Sequence, residues 1–254
     1  MRKKIIIFIL LATLIGCQSK VTTFNEVIKD GKVEMDGIEY DIRSVTELTN
    51  EYDRNDNLIR RDSKYDDTEQ YTEFVYDGDL LIEEKRFSSH QDSTVLYHYD
   101  EYDREIKIEY VYKIGTLTTE FKYDGTTKRL ISKNMDGSIQ QVQEAIIDDQ
   151  SNILSFKSYD ADGNLHATSE NTYVNNKLVS SVSIDSEGKK VTNYYEYNNF
   201  GDRIFWYTIH HLDEPIMMAH FFEYVYNKDS LPISVKIHRV QSIIEKDEIR
   251  DYWE

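Results

Sequence analysis

The chain has one cysteine, so it cannot form an internal disulfide. Proline (2) and glycine (10) are also scarce among the 254 residues, although the sequence is rich in apparent turns. Asparagine and aspartate must therefore supply most of the turns, since their side chains hydrogen-bond the nearby backbone. The chain is instead rich in aromatic residues, with 20 tyrosines and 10 phenylalanines, which suit half-buried strands.

Residues 1–16 predict a signal peptide. Three basic residues, 2–4, precede an apolar run over 5–15 that is too short for a permanent membrane span. The run ends in Leu14-Ile15-Gly16-Cys17, which resembles the lipobox of bacterial lipoproteins, in which the cysteine is lipidated and becomes the new N-terminus. An ordinary secretory signal with a chance cysteine is the alternative.

The lipobox resemblance implies a membrane partner and a cellular address. Several acyl chains on Cys17 would give a stable anchor, with residues 17–23 as a short polar tether and 24–254 as one β domain. The expected location is the cell envelope. Since Gln18 follows the cysteine, the sorting pattern of such lipoproteins implies the outer membrane if the host has two membranes.

The mature chain is strongly acidic. Three of the 30 basic residues lie in the signal peptide, so its removal changes the formal charge from −17 to −20. Such a surface repels phosphate backbones and anionic lipid head groups. Nucleic acid is therefore not an expected partner.

Tyr-Asp and related pairs recur about every twelve residues from position 52 onward, as in Tyr52-Asp53 and Tyr76-Asp77. A turn at this spacing, with strand-like residues between, is typical of an antiparallel meander. We therefore predict an all-β fold of about 16 strands in a single sheet that is curved, spiralling or partly closed, because so wide an open sheet curls. Turn signals at 29–31 and 35–37 predict small opening strands, and residues 247–254 are expected to cover the last strand edge or to form a short helix.

Aromatic residues two apart share one face of alternate strands. The pairs are Phe74/Tyr76, Tyr97/Tyr99, Phe121/Tyr123, Tyr195/Tyr197 and Tyr224/Tyr226. We expect them to form a ladder with ring contacts between strands. The opposite face carries Glu73, His98, Lys122, Glu196 and Glu223, so one face is predicted to be apolar and the other wet.

Two units, Tyr159-Asp160-Ala161-Asp162-Gly163-Asn164-Leu165 and Tyr197-Asn198-Asn199-Phe200-Gly201-Asp202-Arg203-Ile204, resemble the YD repeat of RHS-type proteins. Tyr52-Asp53-Arg54-Asn55-Asp56-Asn57-Leu58 is similar, with Asp56 in place of glycine, and the resemblance covers roughly residues 49–237. It implies a β strip that spirals into a shell, and a role in carbohydrate binding. The chain is far shorter than such a shell and lacks the Asp-Pro dipeptide that precedes the toxins of that family.

Catalytic and metal-binding signatures are not found. The seven histidines are scattered, and 160–164 departs from a calcium loop because its glycine is fourth rather than sixth and position twelve is Asn171. No nucleophile elbow, phosphate-binding loop or zinc motif occurs. We therefore predict no enzyme activity, no cofactor and no metal.

The densest aromatic region is the candidate binding site. It comprises Phe205, Trp206, Tyr207, Phe221 and Phe222, for which the sequence favours core packing; if exposed, they would instead stack on sugar rings or seat a protein. The sequence thus favours a lipid-anchored, non-enzymatic protein that binds a protein or glycan ligand. An immunity or inhibitor lipoprotein that neutralises a toxin, and a purely structural envelope protein, are the other hypotheses.

Overall fold

The structure is a computed structural model, and it describes residues 19–21, 28–29, 31–35, 38–65, 68–89, 91–212 and 215–243. These residues form strands and turns only, and none lies in a helix that is long and apolar enough to cross a membrane. The predicted C-terminal cover, residues 247–254, lies outside them. The strands are β1 (Ser19–Val21), β2 (Ile28–Lys29), β3 (Lys32–Met35), β4 (Ile38–Tyr52), β5 (Leu58–Tyr65), β6 (Thr68–Asp77), β7 (Leu80–Phe87), β8 (Ser93–Tyr99), β9 (Glu105–Tyr112), β10 (Gly115–Asp124), β11 (Thr127–Lys133), β12 (Ile139–Ile147), β13 (Ile153–Asp160), β14 (Leu165–Val174), β15 (Lys177–Asp185), β16 (Lys190–Tyr197), β17 (Arg203–His211), β18 (Ile216–Tyr226) and β19 (Pro232–Ile243).

The sheet closes into a barrel. From β4 onward each strand pairs antiparallel with the next, and β19 pairs antiparallel with β4, Ser234 opposite Thr49. The antiparallel meander and the strand number are as predicted, since β4 to β19 make sixteen strands. The open or spiralling sheet was wrong, because pairing of the last strand with β4 satisfies both edges that an open sheet would expose. The opening strands are also confirmed, as a small hairpin formed by β2 and β3 that continues into β4.

A barrel of this size is wide. Sixteen strands about 4.8 Å apart and tilted by about 40° give a circumference of roughly 100 Å, and hence a diameter of about 30 Å between opposite backbones. Barrels of eight strands are filled by their own side chains, whereas those of about sixteen leave room for water. The interior is therefore a lumen rather than a packed core.

The strand register separates the side chains into two faces, as predicted. Phe74, Tyr97, Phe121, Tyr195 and Tyr224 share one face with their paired neighbours. Glu73, His98, Lys122, Glu196 and Glu223 lie on the other.

The aromatic face points inward. In a strand of L-residues, the direction of a residue's backbone hydrogen bonds determines which face its side chain occupies. Because barrel strands tilt right-handedly, the order of the strands around the ring then identifies the inner face. Away from β17–β19, the burial of several residues agrees with this assignment. Val95, Ala145 and Ser158 on the inner face are buried, whereas Lys122 and Glu144 on the outer face are exposed.

The tyrosine of the Tyr-Asp unit joins neighbouring hairpins at one end of the barrel, which we call the tyrosine rim. The even-numbered strands of the barrel end there, and in six of the eight a tyrosine hydroxyl donates to a carbonyl at the start of the odd-numbered strand that pairs with it. Asn171 makes the same link from its side chain to the Ile153 carbonyl. The tyrosine links are Tyr76 to Leu58, Tyr99 to Leu81, Tyr123 to Glu105, Tyr197 to Leu178, Tyr224 to Arg203 and, across the closure, Tyr52 to Pro232.

The expected ladder of ring contacts between alternate strands was wrong for most of the barrel. Tyr76, Tyr99 and Tyr123 lie on strands two apart, which places them about 10 Å from one another. Their hydroxyls bridge to the strand between instead, and burial raises the pKa of each. Stacked rings do occur on adjacent strands, as for Tyr195 and Trp206.

The aspartate of the unit makes the turn. In the turn that starts at Asp160, one carboxylate oxygen accepts the amides of Asp162 and Asn164, and the other accepts the Asn164 side chain. The Asn164 side chain, together with the backbone amides, lowers the pKa of Asp160. The fourth residue of the turn, Gly163, has φ of 86°, a left-handed conformation that favours glycine.

The largest group of buried apolar side chains in the barrel wall lies at β17–β19. There the outer face is apolar as well, and Phe205, Ile209, Ala219 and Phe221 belong to one buried cluster that also contains Val33 of β3. In most other strands the side chains of both faces are only partly buried. The main hydrophobic cluster of the described residues is therefore confined to one side of the barrel.

Part of the predicted tether, residues 17–23, is paired with the barrel. Ser19–Val21 pairs antiparallel with β18, Ser19 opposite Tyr226. Pairing between β17 and β18 ends at Phe205 and Phe221, so the rest of β18 has an edge that β1 occupies. The chain thus joins the barrel wall at the tyrosine rim, five residues before the domain start predicted at 24.

We expect the tyrosine links to contribute measurably to stability. Replacing Tyr99 by phenylalanine should lower the free energy of unfolding by about 1 kcal/mol, because the hydroxyl loses its carbonyl partner. Replacing Tyr76, Tyr99 and Tyr123 together should cost about 3 kcal/mol, since the three sites are far enough apart to add. Urea denaturation measures this, with Tyr110→Phe as the control because no hydrogen bond of its hydroxyl occurs among the described residues. A triple variant as stable as Y110F would show that the links contribute nothing.

Candidate functional site

The barrel wall divides the five predicted binding residues between its two faces. Phe205, Tyr207 and Phe221 lie on the outer face, where they are 8%, 7% and 1% exposed in the hydrophobic cluster. Their rings contact one another, with Phe205 4.9 Å from Phe221 and 5.3 Å from Tyr207. Core packing, which the sequence favours for this region, is the role that this geometry gives them.

Trp206 lies on the inner face in the middle of a stack of rings. The indole is parallel to His220 at 4.5 Å and to Tyr195 at 6.3 Å. Its Nε1 donates to the Asn193 side-chain oxygen, which also accepts the Thr208 hydroxyl. Both faces of the indole are covered, so Trp206 presents an edge to the lumen and not a flat platform.

Phe222 is also on the inner face. It lies two residues after His220 on β18 and is therefore the next side chain on that face. Its ring is parallel to Tyr224 at 6.4 Å, and Tyr224 is parallel to Tyr226 at 5.7 Å. This row continues from the Trp206 stack toward the tyrosine rim. The structure therefore brings together two of the predicted residues, Trp206 and Phe222, on the surface that lines the lumen.

Two arginines flank the stack, and neither has an acidic partner among the described residues. The Arg203 guanidinium lies 4.9 Å from the centre of the Tyr195 ring, and its Nε is buried without a hydrogen-bond partner. Arg239 projects from β19 on the same face and is exposed. Burial, together with the charges of Arg239 and Arg203, lowers the pKa of His220 to about 4. The imidazole is therefore neutral at pH 7, and its Nδ1 is buried without a partner.

A hydrogen-bond network lies nearer the rim, where the barrel closes. Arg61 donates to the Asn50 side-chain oxygen, and the Asn50 amide donates to the Pro232 carbonyl of β19. In the turn between β16 and β17, Asp202 accepts a hydrogen bond from the Tyr226 hydroxyl at 2.6 Å. Burial and this carboxylate raise the pKa of Tyr226. The network ties β4 and β5 to β19 and holds Arg61 on the same inner quadrant as Arg203 and Arg239.

No family model and no curated protein matches this chain. Its similarity is to porin-like proteins of known structure. One, from Bacteroides uniformis ATCC 8492, is 15% identical with a TM-score of 0.35, and the match covers 70% of this chain and 60% of that protein. Another, from Bacteroides vulgatus ATCC 8482, is 12% identical with a TM-score of 0.36, and the match covers 78% of this chain and 97% of that protein. The closed barrel described above follows from the strand pairing itself.

The rest of the inner wall is lined by hydroxyl and amide side chains. Gln141 donates to the Ser158 hydroxyl, and the hydroxyls of Ser169 and Ser181 are 3.2 Å apart. Gln143 faces the lumen from the middle of β12. Along each strand these residues occupy every second position, so a period of two in the sequence would have shown them. Their convergence on one surface depends on the closure.

The histidines and the turn at Asp160 were the other positions considered for metal binding, and the structure places them in ion pairs and in a hydrogen-bonded turn. His98 contacts Glu109 at 2.7 Å and His238 contacts Glu223 at 3.1 Å, each as a pair on the outer face. Across the described ranges, no group of three or more histidine, cysteine or acidic side chains is placed to hold a metal ion. The turn at Asp160 uses its carboxylate for backbone amides, as described above.

Proposed function

We propose that this protein is a lipid-anchored, non-enzymatic lipoprotein of the cell envelope whose barrel lumen binds a glycan. The observation that carries the proposal is the chemistry of the inner wall, where hydroxyls and amides of β12–β17 lie beside the Tyr195–Trp206–His220 stack. Hydroxyl and amide groups match the hydrogen-bonding surface of a saccharide, and aromatic side chains supply apolar contact with a polar edge. The similarity of the Tyr-Asp units to YD repeats points in the same direction.

The outer wall supports a position outside the bilayer. A lipid-facing barrel wall carries an apolar band, and a charged residue at its middle costs about 2–4 kcal/mol. Here the outer face carries ion pairs within the strands, such as Arg129 with Glu144 and Lys107 with Glu109. A lipid on Cys17, two residues before β1, would then hold the tyrosine rim toward the membrane and leave the other rim free.

Replacing Cys17 by serine tests the anchor. We expect the wild-type protein in the membrane fraction and the C17S variant in the soluble fraction after membrane extraction, because the acyl chains supply the stable membrane affinity. Metabolic labelling with a fatty acid should mark the wild type alone. A C17S variant that stays with the membrane would contradict anchoring through this residue.

Binding is tested with Trp206 as reporter. The chain has two tryptophans, so Trp253→Phe leaves Trp206 as the sole indole. Titration with a panel of oligosaccharides should change its fluorescence saturably and leave each sugar uncleaved. Gln143→Leu on the inner wall should weaken binding several-fold, whereas Glu144→Gln, its neighbour on the outer face, should not. Capture of a basic protein with no sugar bound would instead support the immunity hypothesis.

A further inference from the structure

The inner face of the barrel is unusually basic for so acidic a chain. Its strands carry Arg61, Arg86, Lys128, Arg203 and Arg239, in a protein with 47 acidic and 30 basic residues. Acidic side chains on this face are fewer, and they are paired or peripheral. Glu84 contacts Arg86 at 2.6 Å, while Glu105, Asp160 and Asp185 lie at strand ends.

The basic residues concentrate in one quadrant, around β18. Arg239 lies opposite His220 in the register, and Arg203 lies over the Tyr195 and Trp206 rings. Arg61 donates to Asn50, which is bonded to the start of β19. One carboxylate, Asp202, lies in the same region, where it accepts the Tyr226 hydroxyl. No carboxylate lies within 4 Å of the guanidinium of any of these three arginines in the described part of the chain. Most other arginines of the described residues have such a partner, as Arg60 has in Asp62 and Arg104 in Asp100.

Unpaired guanidinium groups beside a neutral aromatic stack have a clear chemical preference. Guanidinium binds carboxylate, sulfate and phosphate groups through paired N–H donors, and such charge-assisted bonds are about twice as strong as neutral ones. The buried Nε of Arg203 and Nδ1 of His220 are polar atoms that still lack partners. The edges of Trp206 and Phe222 lie next to these groups and offer apolar contact.

We propose that this quadrant, formed by Arg203, Arg239 and Arg61 around the Trp206–His220 stack, binds an anionic saccharide through its acidic groups. The inference rests on the proposed glycan binding and names the ligand class of that site. Arg203 and Arg239 contact the acidic groups, and Trp206 and Phe222 contact the sugar ring edge. The hydroxyl and amide wall of β12–β17 binds the remaining units of the chain. The acidic outer surface repels the same ligand, so binding is confined to the lumen.

The test compares acidic and neutral oligosaccharides of equal length. A uronic acid tetramer and its neutral hexose counterpart are titrated into the intact protein, with inorganic phosphate as a competitor. We expect the acidic tetramer to bind at least tenfold more tightly than the neutral one, with an affinity that falls as salt is raised. Phosphate should compete only weakly, because it lacks the ring contacts.

Charge-matched variants locate the site. Arg239→Gln and Arg203→Gln should each weaken binding of the acidic tetramer about tenfold or more, as expected for loss of a hydrogen bond to a charged group. Arg54→Gln, in an exposed turn at the rim, removes the same charge and should have little effect. Arg203→Lys serves if R203Q does not fold, since it keeps the charge and loses the paired donors.

The outcomes separate this inference from the proposed function. Equal binding of both tetramers, or acidic binding that R239Q and R203Q leave unchanged, would overturn the anionic site and leave glycan binding intact. Phosphate that competes as strongly as the tetramer would show a simple anion site and overturn the saccharide assignment. Failure of both tetramers and of the wider sugar panel would remove the proposed function and the inference with it.

Discussion

Replacing Phe221 by alanine is expected to lower the free energy of unfolding by about 3–5 kcal/mol. The ring is 1% exposed and contacts Phe205 in the buried cluster on the outer face of β17–β19. Truncation loses the transfer free energy of the ring and leaves a cavity that the surrounding strands fill only in part. Among the described residues this cluster is the principal packed region, so the lost contacts fall in the best-packed part of the wall. Urea denaturation followed by circular dichroism measures the change.

The matched control for Phe221 is Ile146. Its side chain lies on the outer face of β12 and is 45% exposed, so I146A should cost less than about 1 kcal/mol. If F221A and I146A destabilise the protein equally, the asymmetric wall does not hold the barrel together. That result would place the stability in the strand pairing alone.

The second large effect is a loss of stability between pH 6.5 and pH 4 that comes from His220. The pKa of this imidazole is about 4 in the folded chain, while an unfolded histidine titrates near its usual value of about 6.5. The unfolded state therefore binds the proton first, and stability falls as the pH drops through this window. Below pH 4 both states are protonated and this group causes no further loss. After allowance for solvent screening, we expect about 1–3 kcal/mol.

His220→Phe isolates this contribution. The phenyl ring keeps the stack on Trp206 and does not titrate, so the variant should lose much less stability than the wild type between pH 7 and pH 4. The charged groups near His220, Arg239 and Arg203, do not titrate in this range. His166→Phe, at an exposed position near the start of β14, should follow the wild-type curve. Parallel curves for H220F and the wild type would contradict the role of His220.

Much of the fold could be predicted because its signals are local. The Tyr-Asp spacing places a turn about every twelve residues, and alternation along each strand assigns Phe74, Tyr97 and Phe121 to one face. Both predictions need only a few neighbouring residues. The closure could not be read in this way, because the pairing of β19 with β4 depends on the register accumulated over fifteen intervening hairpins.

The candidate site depends on details that alternation does not show. Arg203 and Phe205 are two residues apart, so a regular strand would place both on the outer face. The register shifts between Glu196 and Tyr197, and this bulge turns Arg203 onto the inner face, over the Tyr195 ring. The dense aromatic run was recognisable, but its division between a core and a lumen required the register.

Closure of the barrel also sets a condition on its assembly. The Tyr52 hydroxyl meets the Pro232 carbonyl 180 residues later, so the ring is complete only when the final strand has arrived. Joining ends so far apart costs about 4–5 kcal/mol of chain entropy before any contact at the junction offsets it. Until then β4 and β18 each present an unsatisfied backbone edge, to which a second copy of the chain can attach. The chain must therefore be kept apart from its own copies until the ring closes.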